Sequence, residues 1–189
     1  MKNLQQYLVV SIILFSSLIQ SSCEDKCEET KYEIKEISLK PKTRSAGETL
    51  LSPWISANQL PYNRLMFELS FPKPVLVFFT LNATCPVVWT NNNRVSDIKL
   101  LSNQDYNENF PAGSDLLEIA SFTVDNKFFF EKDLFLKDYI NKSELTTAYF
   151  YLNESPVDNL NHTLRFVAEL ADGNSIETSG INVLLKSEE

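Results

Sequence analysis

Few residues of this 189-residue chain have the types that do chemistry: three cysteines, Cys23, Cys27 and Cys85, and one histidine, His162. A serine or cysteine nucleophile needs an imidazole base and a third group to orient it. His162 is the one imidazole on offer, and it opens an alternating run directly after Asn161. It therefore reads as a surface or turn residue at a strand end. A zinc site needs cysteine and histidine ligands in close pairs, which positions 23, 27, 85 and 162 do not supply. With four glycines in the chain there is no Gly-x-Ser-x-Gly elbow and no glycine-rich phosphate loop. The acid pairs Glu28-Glu29 and Glu188-Glu189 read as solvated residues, because glycosidase carboxylates must oppose each other across a cleft. Asp172-Gly173-Asn174 has too few oxygen ligands for a calcium loop. The expectation is a chain with no catalytic residue, no cofactor and no metal.

Binding chemistry has more to work with. Trp54, Trp89 and Tyr62 fall in or beside expected loops, where aromatic rings stack on sugar faces. The competing reading is that they cap the core. The run Phe128-Phe129-Phe130 reads as core on two faces, and any exposed share of it would suggest a protein partner. Asn-x-Ser/Thr triplets stand at Asn82, Asn141, Asn153 and Asn161 and read as chance matches.

The amino terminus points to an address. Lys2 is the single charge before an apolar stretch from Tyr7 to Ile19, which ends in Gln20-Ser21-Ser22-Cys23. Thirteen residues are too few to cross a hydrocarbon core, which takes about 20, and the order of basic start, apolar middle and small end is that of a secretory signal. A cysteine directly after the small residues resembles the lipobox of bacterial lipoproteins, although Gln20 stands where that family usually has Leu. The resemblance implies a diacylglyceryl group on Cys23 and loss of residues 1–22. The acidic cluster Glu24-Asp-Lys-Cys-Glu-Glu29 resembles the signal that sends Bacteroidota lipoproteins to the outer face of the outer membrane. The alternative is a plain secreted protein with Cys23 free. With Cys23 lipidated, Cys27 and Cys85 remain as an even pair outside the cytoplasm. They either form a disulfide, which loop-closure entropy would make worth about 4 kcal/mol, or stay as two thiols.

Composition sets the outer bounds. There are 25 acids against 17 Lys and Arg, a net charge of −8, and 43% of residues are hydrophobic. This is ordinary for one globular domain. Without a run of Lys or Arg nothing would displace counterions from phosphates, so nucleic acid is not an expected partner.

The elements that must carry any site are strands. Short alternating runs separated by turn residues argue for β-structure. Tyr32, Ile34, Ile37 and Leu39 share a face only if one extra residue sits near Lys35 or Glu36, a bulge. Residues 41–60 read as a long connection with one short strand. Leu65, Phe67, Leu69 and Phe71 point inward along the next run. Val75–Leu81 is apolar on both faces, as a central strand would be, and 85–89 is a short edge segment. Ile98 and Leu100 mark another strand; Ser114 begins a helical turn; Lys127–Phe130 reads as a strand; and Glu131–Asn141 reads as a short helix. Ala148, Phe150 and Leu152 line one strand, and Leu164, Phe166, Ala168 and Leu170 the next. The Asp172-Gly173 turn leads into a return strand whose phase changes at Gly180. The fold class is all-β, an Ig-like two-layer antiparallel β-sandwich of about 7–9 strands with one or two short helical turns. Residues 1–22 read as the signal, 23–29 as a lipidated acidic tether and 30–186 as the single sandwich domain.

Several landmarks stand in order: Tyr32-Glu-Ile, Leu60-Pro-Tyr-Asn-Arg-Leu65, Val95-Ser-Asp-Ile-Lys99, and Asp105-Tyr-Asn-Glu-Asn-Phe-Pro-Ala-Gly-Ser-Asp-Leu-Leu117. Over most of residues 27–186 they resemble an uncharacterised domain of Bacteroidota surface lipoproteins. That resemblance implies an Ig-like β-sandwich without an assigned activity. The functional expectation is thus a non-enzymatic, lipid-anchored protein of the outer membrane and cell surface, its sandwich serving adhesion, complex assembly or envelope structure with a protein partner. The alternative is a glycan-binding accessory lipoprotein.

Overall fold

Alternation of apolar and polar residues becomes two layers of strands. A computed structural model describes residues 29–44, 51–54, 60–72, 88–157 and 161–186. The chain divides into two compact units, Lys31–Val77 with Trp89–Glu189, and Met1–Thr30 with Phe78–Val88. Almost all the described residues belong to the first. Twelve strands are described: β1 Glu29–Tyr32, β2 Ser38–Arg44, β3 Leu51–Pro53, β4 Leu60–Pro61, β5 Leu65–Ser70, β6 Val88–Asn91, β7 Val95–Ser102, β8 Ala120–Thr123, β9 Thr147–Leu152, β10 Asn161–Leu170, β11 Ser175–Glu177 and β12 Ile181–Lys186. One α-helix, α1 Lys132–Asp138, and 3₁₀ turns at Tyr62–Arg64 and Leu116–Ile119 complete them.

One five-stranded sheet runs β3-β2-β5-β9-β8, antiparallel throughout. The other has β7 on one side of β10 and β12 on the opposite side, followed by β4, with β11 pairing farther along the same β10. Within it the β12–β4 pair is parallel and the rest antiparallel. β1 and β6 form a separate two-stranded sheet. The chain is therefore an all-β sandwich. The strand number exceeds the expected 7–9 because two expected runs divide and two-to-four-residue strands fill the margins.

Both divisions have local causes. Between β1 and β2, Glu33, Lys35 and Glu36 are exposed while Tyr32, Ile34, Ile37 and Leu39 are buried. Two successive exposed residues, Lys35 and Glu36, change the phase where the sequence places the extra residue. Between β11 and β12, Thr178 leaves the ladder and replaces it: its N–H donates to Phe166 O at 2.9 Å, and its hydroxyl accepts the Phe166 N–H at 3.0 Å.

The core is a row of rings between the layers. Phe67, Phe150 and Phe122 are direct cross-strand neighbours on β5, β9 and β8, with centroids 4.9 Å and 5.3 Å apart. Phe135 of α1 stacks on Phe122 at 4.6 Å and extends the row to Phe130 and Tyr139. Ile98, Leu100, Leu164, Phe166, Ala168, Val183 and Leu185 face them from the other sheet. Cross-strand aromatic pairs of this kind add about 0.5–1.5 kcal/mol each beyond burial. The inward sets read on β5, β7, β9 and β10 are all buried, and Met66, on the opposite face of β5, is buried as well.

One local expectation is corrected. Lys127–Phe130 is not a strand: it meets β8 through a single bridge, Phe130 with Phe122. β8 itself, which sequence alternation does not announce in four residues, takes the edge position. The helical turn expected near Ser114 is present as the 3₁₀ turn Leu116–Ile119, capped by Asp115, whose carboxylate accepts the Leu117 N–H. The strand expected at Val75–Leu81 lies outside the described residues.

Candidate functional site

The segment from β8 to α1 builds an exposed apolar face. Asp125 Oδ1 accepts the N–H groups of Lys127 and Phe128 at 2.9 Å and 3.1 Å, and Asn126 takes a left-handed conformation, φ 59°. Asn tolerates that region and Asp favours such side-chain-closed turns. The donation from the Lys127 and Phe128 N–H groups holds the Asp125 carboxyl below its usual range. The turn delivers Phe130 back to β8, where it exchanges two backbone hydrogen bonds with Phe122, 2.8 Å and 2.9 Å. Phe130 then stacks on Tyr139 at 4.5 Å. Its two predecessors are left outside: Phe128 is 73% exposed and Phe129 37%, and Leu134 of α1, at 42%, lines one groove with Phe129. Phe129 sets its face under Arg44, 5.8 Å away, and meets Tyr151 edge-on at 5.5 Å. An open groove of about 560 Å³ is lined by Phe129, Phe130, Glu131, Asp133, Leu134 and Lys137.

Lys132, between the two groove acids, turns the other way. Its ammonium lies 2.8 Å from Asp115 Oδ2 and 2.9 Å from Asp97 Oδ1. Burial opposes charge on both Asp97 and Lys132, yet the hydrogen bond and mutual attraction prevail, so the Asp97 carboxyl is lowered and the Lys132 ammonium raised. Lys99 continues the chain of charges to Asp97 and Glu169.

His162 requires a correction. It is not a surface or turn residue but fully buried, like Tyr106 beside it, whose ring centroid is 5.6 Å away. His162 Nδ1 lies 2.9 Å from Ser102 Oγ, and the same hydroxyl accepts the Gln104 N–H. Nε2 has no partner among the described residues. Burial alone lowers the imidazole pKa. The pair resembles half of a hydrolytic triad in distance only, because among the described residues no carboxylate orients the ring, and both side chains are shut off from solvent. The signal in the sequence is phase: His162 alternates in step with Leu164, Phe166, Ala168 and Leu170, whereas its polarity alone points to the surface.

Two of the three aromatic residues that could stack on sugars pack against the core. Trp54, just after β3, and Tyr62, in the first 3₁₀ turn, are half-buried and pack against the core. The Trp54 indole N–H is buried without a partner among the described residues. Trp89 belongs to β6, and its side chain lies outside the described set, as do Cys23, Cys27 and Cys85. A second open groove, about 530 Å³, is lined by Lys31, Tyr32, Glu33, Lys35, Glu36, Pro72 and Asn92, with charges of both signs. Asn141 is committed to backbone hydrogen bonds and Asn153 to Ser121, so neither carboxamide stands free.

Among the described residues no three His, Cys, Asp or Glu side chains gather closely enough to hold a metal ion, and no helix is long and apolar enough to cross a membrane. The apolar face between β8 and α1 is the feature most suited to binding, and the signal for it was the turn-forming pair Asp125-Asn126 just before the Phe run. Compared with protein-family models and with curated proteins, the chain finds no match.

Proposed function

We propose that this chain is a non-enzymatic lipoprotein, anchored through Cys23 on the outer membrane at the cell surface, whose β-sandwich joins a protein partner in adhesion, complex assembly or envelope structure. The observation that carries the partner is the exposed Phe128, with Phe129 and Leu134 bordering one groove. Large apolar side chains left in water next to one another mark contact surfaces. The tryptophan and tyrosine that would stack on sugars pack against the core instead, which favours protein over glycan. The address is supported by the signal-like amino terminus, by Cys23 at its end and by the acids that follow it. The resemblance to the uncharacterised Bacteroidota surface domain agrees with both parts.

The test separates anchor from surface. Cys23→Ala is expected to move the protein from the membrane pellet to the soluble fraction. Phe128→Ser with Leu134→Ser is expected to leave it in the pellet, correctly folded, while cross-linked partner bands from intact cells disappear. Unchanged bands would reject the surface. An unchanged pellet for the Cys23 variant would reject the anchor.

A further inference from the structure

We infer that His162 is an acid-sensitive latch that holds the loop 103–113 and the segment 153–157 onto the end of β10. The inference stands on geometry. The imidazole is fully buried, one ring nitrogen meets a single hydroxyl, Ser102 Oγ, and the other meets no acceptor among the described residues. In the neutral ring, of either tautomer, this leaves one modest defect. In the protonated ring both nitrogens are charged donors, and Nε2–H would be buried with nothing to receive it, an arrangement proteins avoid by protonating only after water reaches the site.

The groups packed around it offer no relief. β12 brings Val183 directly opposite, and β7 ends in Ser102. The 103–113 loop brings the Tyr106 ring, whose hydroxyl donates to Glu154 O at 2.8 Å. Tyr62 and the Glu154 carboxylate act on Tyr106, and burial first, then those two, push its phenol far up, so it stays neutral. The Glu154 carboxylate accepts from Asn107 Nδ2 at 3.0 Å, and Asp105 accepts the Ala112 N–H at 2.7 Å. Among the described residues no carboxylate is hydrogen-bonded to the imidazole.

Water must enter from one side, and the sides are unequal. His162 sits in a continuous ladder with β12. The loop is held to 153–157 by the Tyr106 and Asn107 side chains and by the Val157 N–H, which donates to Tyr106 O at 2.6 Å. Undocking Tyr106 breaks those few bonds and solvates the ring, whereas parting β10 from β12 breaks the sheet. Acid therefore opens the loop before the sandwich.

The sign follows from the lowered imidazole pKa. Above the unfolded value, about 6.5, open and closed forms are both neutral and the latch is at full strength. Below it, the open form takes up a proton that the closed form refuses, so the opening constant rises about tenfold per pH unit until the closed form also titrates.

Hydrogen exchange on the full chain between pH 7.5 and 4.5, corrected for intrinsic rates, tests this. Protection is expected to fall about tenfold per pH unit below about 6.5 in residues 103–113 and 153–157, while β5 and β9 hold. His162→Phe and His162→Asn are expected to abolish that pH dependence. The latch is overturned if protection falls evenly across both sheets, or if the variants keep the dependence. Should both variants fail to fold, the ring-proton NMR resonance of the native histidine decides. Titration well below about 6.5 upholds the latch, and titration at that value overturns it.

Discussion

The side-chain amide of Asn141 closes both backbone groups of Val95: Oδ1 accepts its N–H and Nδ2 donates to its C=O, each at 2.9 Å. Val95 starts β7, whose outer side pairs with no strand among the described residues. Asn141, 46 residues away, acts as the missing neighbour for one residue. Farther along, Asp115 accepts the Leu100 N–H at 3.0 Å and Gly113 N–H donates to Ser102 O. An open strand edge is a template for another chain, and this one is closed piecemeal by side chains and loop.

Asn141→Ala should therefore destabilise by about 1–3 kcal/mol, since it leaves one donor and one acceptor half-buried and unpaired. It should also promote self-association through the freed edge. Urea unfolding reads the first effect and light scattering at raised concentration the second.

Asp115 does more than Asn141. One carboxylate oxygen takes the Leu100 and Leu117 N–H groups, and the other takes Lys132. Asp115→Ala is expected to lose about 2–4 kcal/mol, more than Lys132→Met, because the methionine keeps the aliphatic stem and removes a single partner. Denaturation midpoints of the two variants give the order directly.

Asp97 supplies an acid limb of stability. Burial disfavours its charge, but Lys132 outweighs burial and lowers its pKa below that of the unfolded chain. That contribution is complete above about pH 3.9 and is lost as pH falls through the folded value. Lys132→Met should lower stability most above about pH 3.9, where the pair is fully charged, and so flatten the fall in stability through the acid range, as followed by thermal melts across pH.

Phe150 stands between Phe67 and Phe122 in the ring row. Phe150→Ala should cost about 3–5 kcal/mol, and Phe150→Leu well under half of that, because most of the volume returns. Calorimetry on the two variants distinguishes a cavity from the loss of a hydrogen bond, which neither substitution involves.

Gly180 is required by a close approach, not by an unusual φ. A Cβ there would lie 2.7 Å from Thr163 Cγ2, and Thr163 cannot rotate away without giving up its hydroxyl contact to Asn182 Oδ1 at 2.8 Å. Gly180→Ala should destabilise by about 1–3 kcal/mol. Adding Thr163→Ser deletes the offending methyl and keeps the hydroxyl, so the double variant should recover most of the loss. A double variant no more stable than Gly180→Ala alone would refute the clash.

What was legible in the sequence is what depends on near neighbours in the chain. Alternation along β5, β9 and β10 requires only that one face be dry, and the doubled polar step at Lys35-Glu36 announces its own phase change. The Asp172-Gly173 turn likewise carries its geometry in its residue types, with Gly173 at φ 87°. The tertiary structure decided which individual residues depart from those patterns. Three consecutive phenylalanines are indistinguishable by type, and the Phe130–Phe122 bridge alone turns one of them inward and leaves Phe128 and Phe129 in water. His162 is polar yet in phase with the core, and its burial was settled by Tyr106 from a loop and Ser102 from the end of β7, both some 60 residues earlier in the chain. Asn141 reads from sequence as the end of a short helix, and its bonds to Val95 exist only because β7 has no outer neighbour among the described strands. Exposure and pairing depend on what packs against a residue from far along the chain, and period-2 alternation holds no record of that.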